Sequence, residues 1–315
     1  MRPRPGFLVV LPLYLAMAMA LGFVDQYVRG RASEAFTKHV PAVMAGQAEP
    51  PARYRVLAPA IYDWMTRATG SQPENSWLVF RFLCLLGAFA AGHLLYRTWF
   101  STGGAVAGNA FVAALLPLTF TNPAGHPDTF TELLLFTLGC ACAVRRWMWP
   151  FLVTLALATL NRETAFLLVL VYAGIEGLSA RGLRKVAAAA ILWGVIYAGL
   201  RWKLGYASYE AWQFGNNLTR LFQWPVQAWQ RDLFYRGYGW FFVVMLAGPV
   251  FLIARTWAAQ PRFVRVGVGI VLPLFVVIGV TFSSVMEPRI FTPLLPLVAT
   301  GMLFGLFAPE SNSRV

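Results

Sequence analysis

The amino-acid sequence predicts an all-α integral membrane protein, one polytopic domain over residues 1–315 with about ten transmembrane helices, and three observations predict it. The chain is 58% hydrophobic and 12% charged, with a mean hydropathy of +0.59, whereas soluble domains carry about 25% charged residues. Its apolar residues gather into windows near the roughly 20-residue length that crosses bilayer hydrocarbon. Its 12 Trp, 11 Tyr and 25 Phe suit rings anchored at headgroup depth and packed between helices. The net charge of +13 does not point to nucleic acid, because the basic residues are scattered singly between apolar runs. Cys84, Cys140 and Cys142 lie inside apolar runs without CxxC spacing and read as small packing residues.

The first window, 7–24, follows Arg2 and Arg4 and stops at Asp25. Ala16, Ala18 and Ala20 make a cleavable signal peptide the competing reading, but the run is longer than a usual signal core and further spans follow. A first outer loop, 25–76, contains Arg29, Arg31 and Arg53, then the segment AEPPARYRVLAPAIYDW. There Leu57, Ile61, Trp64 and Met65 fall at helical spacing after Pro50 and Pro51, which predicts an interfacial helix. Windows 77–96, 105–120, 130–144, 147–160, 165–178 and 186–200 complete a module over 1–200. An outer aromatic loop, 201–239, holds Trp212, Phe214, Trp224, Trp229, Phe234, Tyr235 and Tyr238, either as an interfacial belt or as a platform for sugar rings. Windows 240–257, 264–282 and 288–308 give the C-terminal helices of 240–315.

The short loops that carry Arg97, Arg145, Arg146, Arg181, Arg184, Lys185, Arg255, Arg262 and Arg265 hold one acid, Glu176. The positive-inside rule therefore places them, and both termini, in the cytosol. The other face has a different character. TNPAGHPDTFTE carries His126, Asp128 and Glu132; NRET carries Arg162 and Glu163; SSVMEPRIFTPLLP carries Glu287 and Arg289. A single ionisable group at a helix mouth usually snorkels to water, but four clusters on one face, Asp25 included, predict a shared pocket. Arginine holds phosphate oxygens bidentately, and a carboxylate takes a proton from a hydroxyl nucleophile. Together they describe group transfer from a lipid phosphate.

At these residues the chain resembles the GT-C superfamily of polytopic glycosyltransferases, which use polyprenyl-phosphate-linked sugars on the non-cytosolic face. The resemblance rests on Asp25 past the first span, on RYRVLAPAIYDW in the first outer loop, and on the turns HPDTFTE, NRET and MEPRIF. It implies Asp25 as the base that activates an acceptor hydroxyl. It also implies that His126, Asp128 or Glu132 holds acceptor or a divalent metal ion, and that Arg289, with Arg162, clamps the lipid phosphate. Glu163, Glu287, Arg29 and Arg53 would support these groups. The implied partners are the lipid bilayer, the polyprenyl-phosphate sugar and a glycan, glycolipid or polyol acceptor, with the site on the extracytoplasmic face of a bacterial inner membrane. Two departures are visible. No Asp-Asp or Glu-x-Asp pair follows the first span, and no large soluble domain follows the last, so a compact member is expected.

Two readings from other classes compete. A secondary transporter or flippase predicts internal repeats and midplane charges, and neither is evident. A non-catalytic subunit of an envelope polysaccharide system predicts that Asp25→Asn leaves function intact. Phosphatase or acyltransferase chemistry usually needs an activated histidine, and the chain has only His39, His93 and His126. There is no GxxxxGK[ST] sequence, as suits an activated donor that needs no nucleotide site.

Overall fold

The computed structural model describes residues 6–29, 38–120, 128–177, 179–206, 212–217, 245–282, 288–307 and 309. Their regular structure is entirely helical. A long first helix, α1 (Phe7–Arg29), is followed in the first loop by a short helix, α2 (Val40–Met44), a 3-10 turn at Ala52–Tyr54, and α3 (Leu57–Thr69). Three apolar helices come next, α4 (Pro73–Tyr96), α5 (Thr102–Leu115) and α6 (Asp128–Val144). Then follow α7 (Met148–Asn161), α8 (Phe166–Glu176) and α9 (Ala180–Leu204). The C-terminal part holds α10 (Met245–Arg255), α11 (Arg262–Phe282), a 3-10 turn at Pro288–Leu294 and α12 (Leu295–Leu306).

Local chemistry sets several of these boundaries. Ser101 and Ser179 cap α5 and α9 by accepting hydrogen bonds from Gly104 N–H at 3.3 Å and Gly182 N–H at 3.1 Å. α8 stops at Gly177, whose φ of +75° lies in the region only glycine enters freely.

The described part of each of the ten sequence windows is helical over most of its length, and six helical stretches are long and apolar enough to cross a membrane: Phe7–Tyr27, Pro73–Tyr96, Thr102–Thr119, Ala180–Leu204, Arg262–Phe282 and Arg289–Leu306. The chain is thus an integral membrane protein by the length and composition of its helices. The remaining windows gave shorter helices. With 17 residues, α6 rises about 26 Å at ~1.5 Å per residue, short of the ~30 Å hydrocarbon core, and α7 and α8, with 14 and 11 residues, are shorter still.

Named contacts fix the helix directions. α1 and α4 run antiparallel, tied at one level by Tyr14 Oη and His93 Nδ1 at 2.8 Å and at the other by the Asp25–Arg81 ion pair. α4 and α6 are parallel: Cys84 Sγ lies 3.5 Å from Thr131 Oγ1, and Arg145, just past α6, donates to Leu94 O at 2.9 Å. α5 returns beside them, its Asn109 Nδ2 donating to Phe89 O at 2.8 Å. The close approach of α4 and α5 requires Gly92, because a Cβ there would lie 2.2 Å from Asn109 Oδ1.

The bundle therefore has two chemically distinct ends. Arg97, Arg145, Arg146, Arg181, Arg184 and Lys185 share one end, where Lys185 pairs with Glu176 at 2.9 Å. The end of α1, the starts of α4 and α6, and the α7–α8 turn form the other. The expected first-loop helix is present as α3, with Trp64 exposed outward and Ala58, Pro59 and Tyr62 buried inward against the bundle.

Candidate functional site

Asp128 opens the first turn of α6 and Glu132 follows one helical turn later on the same face. Opposite them the chain leaves α7 through Arg162, which is extended at φ −163° and ψ 141°, before Glu163–Ala165 tightens into a 3-10 turn. That turn aims the Arg162 guanidinium back at α6, where it pairs with Glu132 Oε2; its Nε lies 3.7 Å from Asp128 Oδ2. Thr164 Oγ1 donates to Glu132 Oε1 at 2.5 Å, and Asn161 Nδ2 donates to the Asp128 carbonyl at 3.0 Å.

Arg55 joins this group from the first loop. Its Nη1 donates to Asp128 Oδ2 at 3.1 Å and its Nη2 to Glu163 Oε1 at 2.8 Å, so one guanidinium bridges two carboxylates on different elements. The side chains of Asp128, Glu132 and Arg162 are only 4%, 6% and 7% exposed, and Arg55 only 11%. Charges so thoroughly removed from water are costly unless paired, and each of these four side chains stands in at least one ion pair.

Arg289 lies buried in the turn that packs on α6. His39, half-buried just before α2, feels Asp128, Arg55 and Arg289 together. Two arginines, Arg55 and Arg162, thus stand among three carboxylates, with Arg289 on the neighbouring turn.

The charges set the protonation states outside the spans. Burial alone would weaken the positive charge of Arg55, but Glu163 and Asp128 outweigh it and hold the guanidinium charged. Burial would raise the Glu163 carboxyl; contact with Arg55 and the field of Arg162 instead bring it below the usual glutamate value. For His39, burial is the main cause of a lowered pKa; Asp128 opposes it, while Arg55 and Arg289 reinforce it.

Asp25 stands at the same end in its own pair. It is fully buried and engaged by Arg81, whose Nη2 donates to Gln26 Oε1 at 2.7 Å and whose guanidinium lies 5.3 Å from the centre of the Trp77 ring. Arg81 is one turn from Cys84, which meets Thr131 beside Glu132, so the pair and the larger cluster share a level of the bundle.

The structure brings Asp128, Glu132, Arg162 and Glu163 together and places Arg289 in the turn packed on α6, while Asp25 stands in a separate pair with Arg81. Arg53 is not among them, because its Nε turns to Ala48 O at 2.9 Å. Arg29 is the last residue of α1, with its side chain outside the described residues, and His126 and Glu287 also lie outside them. Arg55, Arg81 and His39 were missed. Arg81 had left a signal, being a lone cation inside an apolar window, where an ionisable group calls for a partner.

A divalent metal ion does not fit the described donors. Asp128 and Glu132 face guanidinium groups, which repel a cation, and among the described residues no three His, Cys, Asp or Glu side chains gather to hold one. Comparison with family models, with curated proteins and with solved structures finds no match for this chain.

Proposed function

We propose that the chain is a GT-C-type glycosyltransferase with about ten membrane-embedded helices. It moves a sugar from a polyprenyl-phosphate donor to an acceptor hydroxyl, at the extracytoplasmic face of a bacterial inner membrane. The observation that carries this reading is the buried Arg55–Asp128–Arg162–Glu132–Glu163 network, drawn from three separated segments to the end away from the basic loops. Ionisable groups held inside an apolar bundle mark functional sites more often than structural ones. An excess of basic loops at the opposite end supports the orientation.

The chemistry is a single inverting displacement at the anomeric carbon. Arg162 and Arg289 stabilise the negative charge that grows on the departing lipid phosphate. Asp128 and Glu163 fix the arginines, and the resemblance gives the acceptor proton to Asp25. The acceptor is a glycan, glycolipid or polyol in envelope synthesis.

The test is release of free lipid phosphate from a panel of polyprenyl-phosphate sugars by purified protein in lipid nanodiscs. Arg162→Gln and Arg289→Gln are expected to lower turnover by about 100-fold or more, the scale of losing one transition-state donor. No release from any donor with any acceptor overturns the enzyme reading in favour of transport or assembly.

A further inference from the structure

The last two turns of α9 read YAGLRWKL, which puts Tyr197 and Arg201 one helical turn apart on one face. The guanidinium carbon of Arg201 lies 3.5 Å from the centre of the Tyr197 ring and 4.4 Å from that of Tyr54, a buried residue of the first loop. Both rings are themselves held. Tyr54 Oη donates to Gly205 O at 3.0 Å, and Tyr197 stacks at 4.9 Å on Trp193, whose Nε1 donates to Glu163 O at 3.4 Å. Rings from two elements thus fix the plane of the guanidinium, and a planar fork held by its faces donates along its edge.

That edge meets no carboxylate. Arg55, Arg81 and Arg162 each hold an acid, but among the described residues none pairs with the half-buried Arg201 or with Lys203, exposed two residues on. Arg53, beside Tyr54, commits only its Nε, to Ala48 O. A guanidinium stacked in place with its donors open is prepared for a bidentate anion.

The surroundings say which anion. α9 is long and apolar enough to cross the bilayer, and of its 25 residues only Gly182 and Ala189 are buried, so lipid lies along it. Trp202, beside Arg201, is 90% exposed, as suits a ring at headgroup depth. The anions at that depth are lipid phosphates, and three cations without a paired acid favour a net-negative headgroup over a zwitterionic one.

We propose that Arg201, clamped between Tyr54 and Tyr197 within the positive field of Lys203 and Arg53, binds the phosphate of an anionic membrane phospholipid. The site is separate from the buried ionic network and does not depend on the transferase reading. Two phosphate oxygens accept from the guanidinium edge, and the acyl chains lie along the uncovered face of α9. The lipid braces Tyr54, and with it the loop whose next residue, Arg55, holds Asp128 and Glu163.

The experiment uses the purified full chain in neutral detergent and phosphatidylglycerol with a photoactivatable headgroup, with attachment mapped by peptide mass spectrometry. Saturable attachment is expected at 201–206 and on the first loop, displaced by unlabelled phosphatidylglycerol. In Arg201→Gln the half-saturating concentration is expected to rise by about 10-fold or more, the scale of losing a charge-assisted bidentate contact. Arg201→Lys, which keeps the charge without the planar fork, recovers only part of the affinity, and Arg181→Gln at the opposite end leaves it unchanged. Equal capture by Arg201→Gln and wild type overturns the site. Displacement by phosphatidylcholine as readily as by phosphatidylglycerol overturns the anionic assignment, and displacement by inorganic phosphate alone overturns the lipid. Should Arg201→Gln not fold, the wild type decides by itself, because attachment confined to the basic loops of the other end overturns the placement. No turnover is read, so a failure of the transferase reading leaves the result standing.

Discussion

At the scale of single residues, the network divides into deep and shallow pairs. Arg162 and Glu132 are both more than nine-tenths buried, so Glu132→Gln takes the closest carboxylate from a sealed guanidinium and leaves Asp128 at 3.7 Å. The expected loss of stability is about 3–5 kcal/mol, read by thermal unfolding in detergent. Glu163 is 28% exposed, and water screens its pair with Arg55, so Glu163→Gln is expected to cost about 1 kcal/mol or less. His39 adds a pH term. Its folded pKa is depressed, so its contribution is complete above the unfolded value of about 6.5 and is lost as pH falls through the folded value. Between pH 6.5 and 5 the melting temperature of wild type should therefore fall more steeply than that of His39→Gln. Asp128, Glu132, Arg162 and Glu163 were legible because each sits in a short polar turn between apolar runs. Arg55 was not, because RYR offers two arginines and only the turn at Ala52–Tyr54 decides that Arg53 faces its own loop while Arg55 reaches α6.

At the scale of elements, close helix contacts and open helix faces should answer the same change oppositely. Gly92→Ala drives a methyl against Asn109 and strains the Asn109–Phe89 bond between α4 and α5, an overpacking expected to cost about 1–3 kcal/mol. Gly194 on α9 has no atom within 4 Å of its would-be Cβ, so Gly194→Ala is expected to gain about 0.5–1 kcal/mol from helix propensity. Chemical denaturation of both variants beside wild type checks the pair. Hydropathy located α1 and α4 to α12, since apolar runs are continuous in the sequence, whereas α3 was read from its periodicity and the five-residue α2 left no signal. It did not set their lengths, because α6 and α8 are largely enclosed by neighbouring helices and need not match the bilayer alone. The α7–α8 turn was found through its charges, yet the extended backbone at Arg162, which aims the guanidinium, follows from tertiary contact with α6.

At the scale of the whole molecule, the two ends differ in charge, and the difference predicts an orientation. Cys84, Cys140 and Cys142 are all buried, so an introduced thiol reports with little background. Trp64→Cys, exposed on α3, is expected to react with a membrane-impermeant maleimide added to intact spheroplasts, and Leu183→Cys, exposed beside the basic loops, only after lysis. The reverse pattern would invert the assignment of the site face. One feature ties this body to its lipid. With 25 residues, α9 rises about 37 Å, more than the ~30 Å hydrocarbon layer, and the described residues cover little of it. Its far end is clasped to the first loop: Arg201 stacks between Tyr54 and Tyr197, and Tyr54 Oη donates to Gly205 O at 3.0 Å. A helix longer than its bilayer leans, and thinner lipid makes it lean further. Through that clasp, acyl-chain length is expected to act on the loop that carries Arg55, so the unfolding temperature in nanodiscs of graded chain length should respond less in Tyr54→Phe than in wild type.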